Sequence, residues 1–390
     1  MSLPFLLFTL LALAWPVRGA PPAPAVTEGP IAPVDLQNLE PFRRELTLRL
    51  IHHLQDPEFR NLLQSRLTPE VHRLSLNRLV RDYAELWPEG RGRQLNAQLA
   101  GLDLDLRRRK GLEPFSQGLL GLEMIWPRDR PRVLDWNTVQ FAVRPQRPRR
   151  AVTSVEAYDL QGRLSRLDAQ ARPEVPVILA GLDRRELKRA GLTLLAEGLR
   201  KAGYVTDHAF LEQPAAVSCA KLDHIRLKDD HEPWWKGAAE IYGFVAGVDP
   251  VQDKPKIKLV DLPYLDYADV DYYPNQVVIF WSDFRYRAAD FQLWEQDSNL
   301  DYREILSSVL NGVGAAMTVA GAASFSWVPM LADAILKAMP RAWFKDNDDY
   351  VDTYYTLEEG RSYLGYAGAA GNATIKLSPY TLEPRVPQQP

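Results

Sequence analysis

Residues 256–301 read KIKLVDLPYLDYADVDYYPNQVVIFWSDFRYRAADFQLWEQDSNLD. Three runs in this stretch, Ile257–Val260, Gln276–Trp281 and Phe291–Trp294, are apolar, aromatic or β-branched and are separated by turn residues. Short runs of that composition, bounded by Asp, Asn, Pro and Ser, predict β-strands. The intervening Asp261–Pro274 holds four Asp and four Tyr, so the loops crowd carboxylates at strand ends. Crowded carboxylates repel unless a cation or hydrogen-bond donors neutralise them. The reading is a β-sandwich with acidic loops at one end.

Further strands extend the pattern on both sides. Ala239–Gly247 precedes it, while Tyr350–Leu357 and 372–377 follow. Between them, residues 306–336 carry a single charge, Asp333, and many small residues. Its length would span a bilayer, but Asn311, Pro329 and Asp333 interrupt it. Small residues let two helices approach closely, so the segment is expected as a buried helical hairpin, with membrane contact through 306–336 as the alternative.

The chain of 390 residues, 46% hydrophobic and 10% aromatic, is long enough for several units and a sizeable core. Residues 2–14 are apolar and uncharged and lead into small residues and prolines, the pattern of a secretory signal peptide. An exported location (periplasmic, cell surface or extracellular) is expected, with the signal at 1–20 and a proline-rich linker at 21–36. Cys219 is the only cysteine, so no intramolecular disulfide can form, and a lone cysteine reads as a small buried hydrophobe.

Charge is uneven. Residues 1–150 hold 22 Lys+Arg against 16 Asp+Glu, 151–235 hold 12 against 13, and 236–390 hold 13 against 21, giving +6, −1 and −8, the net −3 of the chain. The basic run Arg107-Arg108-Arg109-Lys110 lacks repetition and interleaved aromatics, so it reads as a solvated face and no nucleic-acid partner is expected.

The fold class expected is α+β: an N-terminal helical segment and a mixed α/β middle, then an antiparallel β-sandwich with an inserted helical hairpin. Residues 37–100 show helical apolar spacing, with Thr68-Pro69-Glu70 read as a helix start. Residues 101–235 form the mixed region. In it, leucines alternating with Asp103, Asp105 and Arg107 suggest a strand. Val152–Tyr158 and Leu164–Leu167 suggest a hairpin. Val175–Ala180 suggests a buried strand leading into a helix capped by Asp183. Residues 205–235 read as a polar connector with Trp234-Trp235 as a buried anchor. Residues 236–390 form the sandwich, with the hairpin at about 302–339.

Three acidic clusters are candidate calcium sites: Asp261, Asp266, Asp269 and Asp271; Glu295, Asp297 and Asp301 with Asn299; and Asp346, Asp348 and Asp349 with Asp352. Calcium takes six to eight oxygen ligands from such side chains. None of the clusters has the glycine and terminal Glu of an EF-hand. Asp261–Asp266 and Phe291–Asp301 resemble the acidic loops of calcium-dependent C2 β-sandwiches, a similarity spanning residues 238–301 and 343–378. Glu295 stands where that family has Asp, and the small-residue insertion has no counterpart in it. The mature chain resembles a family of exported bacterial proteins of unknown function through VEAYDLQG (155–162), VPVILAGLD (175–183), DLPYLDYADVDYYPNQVVIFW (261–281) and DNDDYVDTYYTLEEG (346–360). That resemblance implies a fold and an exported location and no activity.

The function expected is an exported, calcium-stabilised binding or structural protein engaging a protein, polysaccharide or cell-surface ligand. The alternatives are a secreted glycosidase-like hydrolase using paired carboxylates such as Asp297 and Asp301 or Asp266 and Asp269, and a membrane-interacting protein. No G-x-S-x-G, H-E-x-x-H or phosphate-loop pattern supports another chemistry.

Overall fold

A computed structural model of the chain describes residues 34–36, 38–88, 91–127, 132–146, 151–204, 216–229, 233–252, 254–296, 302–320, 327–338 and 350–384. The expected signal peptide, nearly all of the proline-rich linker, and the candidate ligands Asp297, Asp301, Asp346, Asp348 and Asp349 lie outside the described residues.

The N-terminal part is helical: α1 (Glu40–His53), α2 (Pro57–Arg66), a short strand β1 (Arg73–Ser75), α3 (Leu76–Leu86) and α4 (Arg91–Arg109). Asp56 caps α2 by accepting from the Glu58 N–H, and Ser75 caps α3 by accepting from the Arg78 N–H. The helix start expected at Thr68 is therefore displaced. Thr68 instead closes a turn, its hydroxyl accepting from the Val71 N–H at 3.0 Å. The strand expected around Asp103–Arg107 is the second half of α4. Leu95, Leu99, Leu102 and Leu106 are all buried at helical spacing, and Asp103–Arg107 and Asp105–Arg109 pair at i,i+4. The local leucine–aspartate alternation is a by-product of those two patterns.

A six-stranded sheet follows, built from β2 (Leu120–Ile125), β3 (Gln140–Ala142), β4 (Ser154–Tyr158), β5 (Leu164–Asp168) and β6 (Val177–Leu182), in the order β1-β2-β6-β3-β4-β5. Only β3 and β6 pair in parallel. The expected β4–β5 hairpin turns at Gly162, where φ is 75°. Helix α5 (Arg184–Lys201) starts at Asp183, whose carboxylate accepts from the Glu186 N–H. Trp235 is fully buried against Ile125, Val155 and Val177 of this sheet, as an anchor should be.

The remaining strands are β7 (Val217–Leu227), β8 (Ile241–Val248), β9 (Pro255–Asp261), β10 (Gln276–Phe280), β11 (Ala288–Glu295), β12 (Tyr350–Glu358), β13 (Tyr363–Ala367) and β14 (Ala373–Leu382). They form two antiparallel four-stranded sheets, β10-β7-β14-β13 and β12-β11-β8-β9. Leu222, Ile225, Val278 and Ile375 of the first share one core with Val245, Val260, Phe291 and Leu293 of the second, which is the sandwich expected. The polar connector expected over 205–235 is corrected: 217–227 is an eleven-residue strand. Its polar residues point outward while Leu222, Ile225 and Leu227 point in, and it pairs with β14 over its whole length. The sandwich thus recruits a strand from before residue 236.

Two helices, α6 (Tyr302–Ala320) and α7 (Trp327–Ala338), pack together; α7 lies on β8, β11 and β12, and α6 packs on α5. They explain why every residue of β8 and β11 is buried. One face of those strands lines the sandwich core. The other, with Tyr242, Phe244 and Trp294, joins the large apolar cluster shared with α1–α5. Burying side chains of that size contributes about 2–3 kcal/mol each. A Cβ at Gly191 of α5 would collide with the ring of Tyr302, so glycine is what lets α6 seat on α5. No helix among the described residues is long and apolar enough to cross a membrane. The whole is an α+β architecture with three mostly antiparallel sheets.

Candidate functional site

The loop from β9 to β10 sends its carboxylates in two directions. Asp261 pairs with Lys188 at 3.0 Å, and Asp266 lies 3.4 Å from Arg185 and 3.9 Å from Arg73. Asp269 and Asp271 turn toward the outer face of β7. There Arg226 stands 3.1 Å from Asp269 and 3.3 Å from Asp271, and His224 bonds Asp271 at 2.8 Å. The hydrogen bond from His224 holds the Asp271 carboxyl below the usual carboxylate range. Glu295, at the end of β11, is buried and paired with Arg184 at 2.5 Å. The five described candidate ligands are thus neutralised by lysine, arginine or histidine rather than brought together. Among the described residues, no group of three or more His, Cys, Asp or Glu stands ready to hold a metal ion. Asp352 is spoken for by the backbone: its two oxygens accept from the N–H groups of Thr353, Ala370, Asn372 and Ala373 at 2.7–2.8 Å. It ties the β13–β14 turn to β12.

Asp261, Asp266 and Glu295 belong to the margin of a larger ionic cluster at the junction of the six-stranded sheet, α5 and the sandwich. Arg73 bridges Glu123 at 3.2 Å and Glu240 at 2.5 Å, and Arg144 reaches the other oxygen of Glu123 at 3.1 Å. Lys188 meets Glu240 at 3.0 Å. Burial raises the Glu123 pKa, but Arg73, Arg144 and Arg184 outweigh it and hold the carboxyl low. Burial dominates at Asp183 and pushes it up to about 6. The space left among these groups is about 20 Å³, room for roughly one water molecule. The cluster is a charge-paired ionic joint, too full to admit a substrate.

Open surface lies elsewhere. The sheet β12-β11-β8-β9 is covered by the hairpin, but among the described residues no α-helix packs closely on the sheet β10-β7-β14-β13. Across that face Phe280, Cys219 and Tyr380 stand in register on β10, β7 and β14. Cys219 is fully buried, with its thiol pKa raised by that burial, while Phe280 and Tyr380 are 38% and 42% exposed. Lys221 lies over the Tyr380 ring at 5.4 Å. Farther along β7, the His224 ring packs on Tyr273, which is 70% exposed. The charged residues of the face balance: Lys221, Arg226 and Lys376 against Asp223, Asp269 and Asp271. Sequence reading missed Phe280, Tyr380 and His224 as a group because β7 was not recognised as a strand. Its signal was the inward spacing of Ala220, Leu222, Ile225 and Leu227.

No curated protein and no solved structure matches the chain. A family model described as "Protein of unknown function (DUF3103)" matches residues 43–385, nearly the whole folded chain, and the protein belongs to that family.

Proposed function

We propose that the protein is an exported binding protein that holds a neutral polysaccharide on the outer face of the sheet β10-β7-β14-β13. The observation that carries this reading is the row of Phe280 and Tyr380 on either side of buried Cys219. Two strand spacings separate them, about 10 Å, so each ring can meet a different sugar of one chain. A sugar ring offers an apolar C–H face to an aromatic ring and hydroxyls at its edge. Lys221, Asp223, His224 and Lys376 lie alongside to bond those hydroxyls. The balance of three basic and three acidic groups favours an uncharged ligand. Export is supported by the apolar leader at 2–14. Calcium stabilisation remains part of the proposal through Asp297, Asp301, Asp346, Asp348 and Asp349, because Asp261, Asp266, Asp269, Asp271 and Glu295 have basic partners.

The test is retention of the purified protein by neutral and by acidic polysaccharides, in calcium and in chelator. Retention on a neutral polymer, weakened at least tenfold in Phe280→Ala and Tyr380→Ala, supports the reading. Equal retention by wild type and both variants, or preference for the acidic polymer, rejects it. Identical retention and melting temperature in calcium and chelator reject the calcium part alone.

A further inference from the structure

The two sheets of the sandwich are joined differently at their two margins. At one, β12 runs into β13 through a tight turn, the Tyr363 hydroxyl accepts from the Glu358 N–H, and Asp352 ties down the next turn. At the other, β9 and β10 are both edge strands, connected by the long loop 262–275. Gln276 spans the gap at one end, donating to the Asp261 carbonyl at 3.0 Å and accepting from the Tyr264 hydroxyl at 2.7 Å. Between the two edges a groove of about 260 Å³ opens. Its floor is apolar and buried: Val245, Val260, Val278, Ile279 and Phe284.

The rim of this groove is charged. Residues 256, 258 and 260 of β9 face the space between the sheets, so two lysines and a valine look inward. Asp283, just after β10, receives both lysines. The buried Lys256 bonds one oxygen at 2.7 Å, and Lys258 stands 3.7 Å from the other with its side chain 32% exposed. One carboxylate therefore faces two ammonium groups. Asp261 also lines the groove and is held by Lys188 at 3.0 Å, so Lys258 is the accessible cation at the mouth that must share its carboxylate with another lysine.

We infer that this groove binds a carboxylate-headed amphiphile, a medium-chain fatty acid or its like, with the chain on the Val245–Val260–Val278 floor and the carboxylate at Lys258. An apolar cavity of about 150 Å³ takes up benzene, so a groove of about 260 Å³ has room for a longer apolar chain. Apolar burial supplies the attraction, and the ammonium at the mouth selects the head group. Phe280 lines the rim of this groove as well as the polysaccharide face, but the test rests on Lys258, which the polysaccharide reading does not use, so the two readings can fail separately.

Titration of the full chain with decanoate, decanol and decyltrimethylammonium, read by calorimetry, tests the inference. Decanoate is expected to bind at least tenfold tighter than either of the others. Lys258→Met should erase that preference while leaving decanol unchanged, and Lys258→Glu should reverse it in favour of the cation. Val278→Trp should remove binding of all three by filling the groove. Because that variant changes the core, its melting temperature is measured beside it, and the two exposed-site Lys258 variants carry the test if it does not fold. No binding of decanoate, or equal binding of all three ligands by wild type, overturns the inference and leaves Lys256 and Lys258 as charges that keep an edge strand from pairing with another chain.

Discussion

Asp290 sits at the centre of β11 with no exposed surface, beneath α7. One oxygen accepts from the Thr356 N–H at 2.7 Å, at the bulge where the β11–β12 register skips and Thr356 takes φ of 52°. No cation pairs with it among the described residues. The charged and titratable neighbours are Asp333 and Lys337 of α7, paired with each other, and Tyr355 of β12; on β8 Asp290 faces Ala246, and that strand's titratable residue, Tyr242, pairs with Trp294. Burial thus pushes the Asp290 carboxyl up to about 8 from an ordinary 3.8. The sign follows from proton counting. Between those values the unfolded chain has released this proton and the folded chain still holds it, so stability falls as pH rises from about 4 to about 8. The steepest slope from one group is about 1.4 kcal/mol per pH unit. Asp290→Asn should flatten the fall in urea-denaturation midpoint between pH 5 and pH 9. An unchanged slope in the variant would show that other groups carry it. Nothing in the sequence marks Asp290 apart from the loop aspartates around it, since its lack of a cation depends on what the fold places overhead.

At the scale of elements, six of the eight sandwich strands were legible because each is a compact β-branched or aromatic run with its own turn signals, whereas β7 and β13 were not. What misled was two elements whose local pattern mimics another. In α4 the alternation of leucine and aspartate mimics a strand, and only the buried set at Leu95, Leu99, Leu102 and Leu106 shows the longer period. In β7 the exposed Arg226 and the half-buried Lys221, Asp223 and His224 make a half-buried strand look like a linker. The hairpin was legible through its small residues, and the structure says which of them matter. A Cβ on Gly312 of α6 would lie 2.7 Å from the Ala334 carbonyl oxygen and 2.8 Å from the Ile335 Cα on α7, whereas one on Gly314 would meet nothing within 4 Å. Gly312→Ala must push the helices apart, an overpacking cost of about 1–3 kcal/mol that exceeds the gain of up to about 1 kcal/mol from helix propensity. Gly314→Ala collects that gain alone. Thermal unfolding should therefore move down for the first and up for the second. Two shifts of the same sign would mean that α6 and α7 are not packed at this contact.

For the whole molecule, the acidic clusters were readable as concentrations of charge, but their neutralising partners were not. Asp261 finds Lys188, Asp266 finds Arg73 and Arg185, and Glu295 finds Arg184, each across at least 73 residues of sequence. No local pattern encodes such pairs. Their effect is to tie the six-stranded sheet and α5 to the sandwich at one ionic joint. Arg184 is its most committed member: besides Glu295 it donates to the carbonyls of Lys236, Ala238 and Gln296 at 2.7–3.3 Å. Removing Arg184 leaves Glu295, 1% exposed, as a buried charge without its main partner. Such a loss costs about 3–5 kcal/mol, whereas replacing both members of a buried pair by apolar residues is often close to neutral. Arg184→Leu should therefore be strongly destabilising in chemical denaturation. Arg184→Leu combined with Glu295→Leu should recover only part of the loss, because the three carbonyls keep no donor. A single cooperative transition in wild type is also expected, since the joint and the shared apolar cluster couple both halves. If Arg184→Leu instead leaves stability within about 1 kcal/mol of wild type, the joint is wet enough for solvent to replace the guanidinium. The two halves would then be held by apolar contact alone.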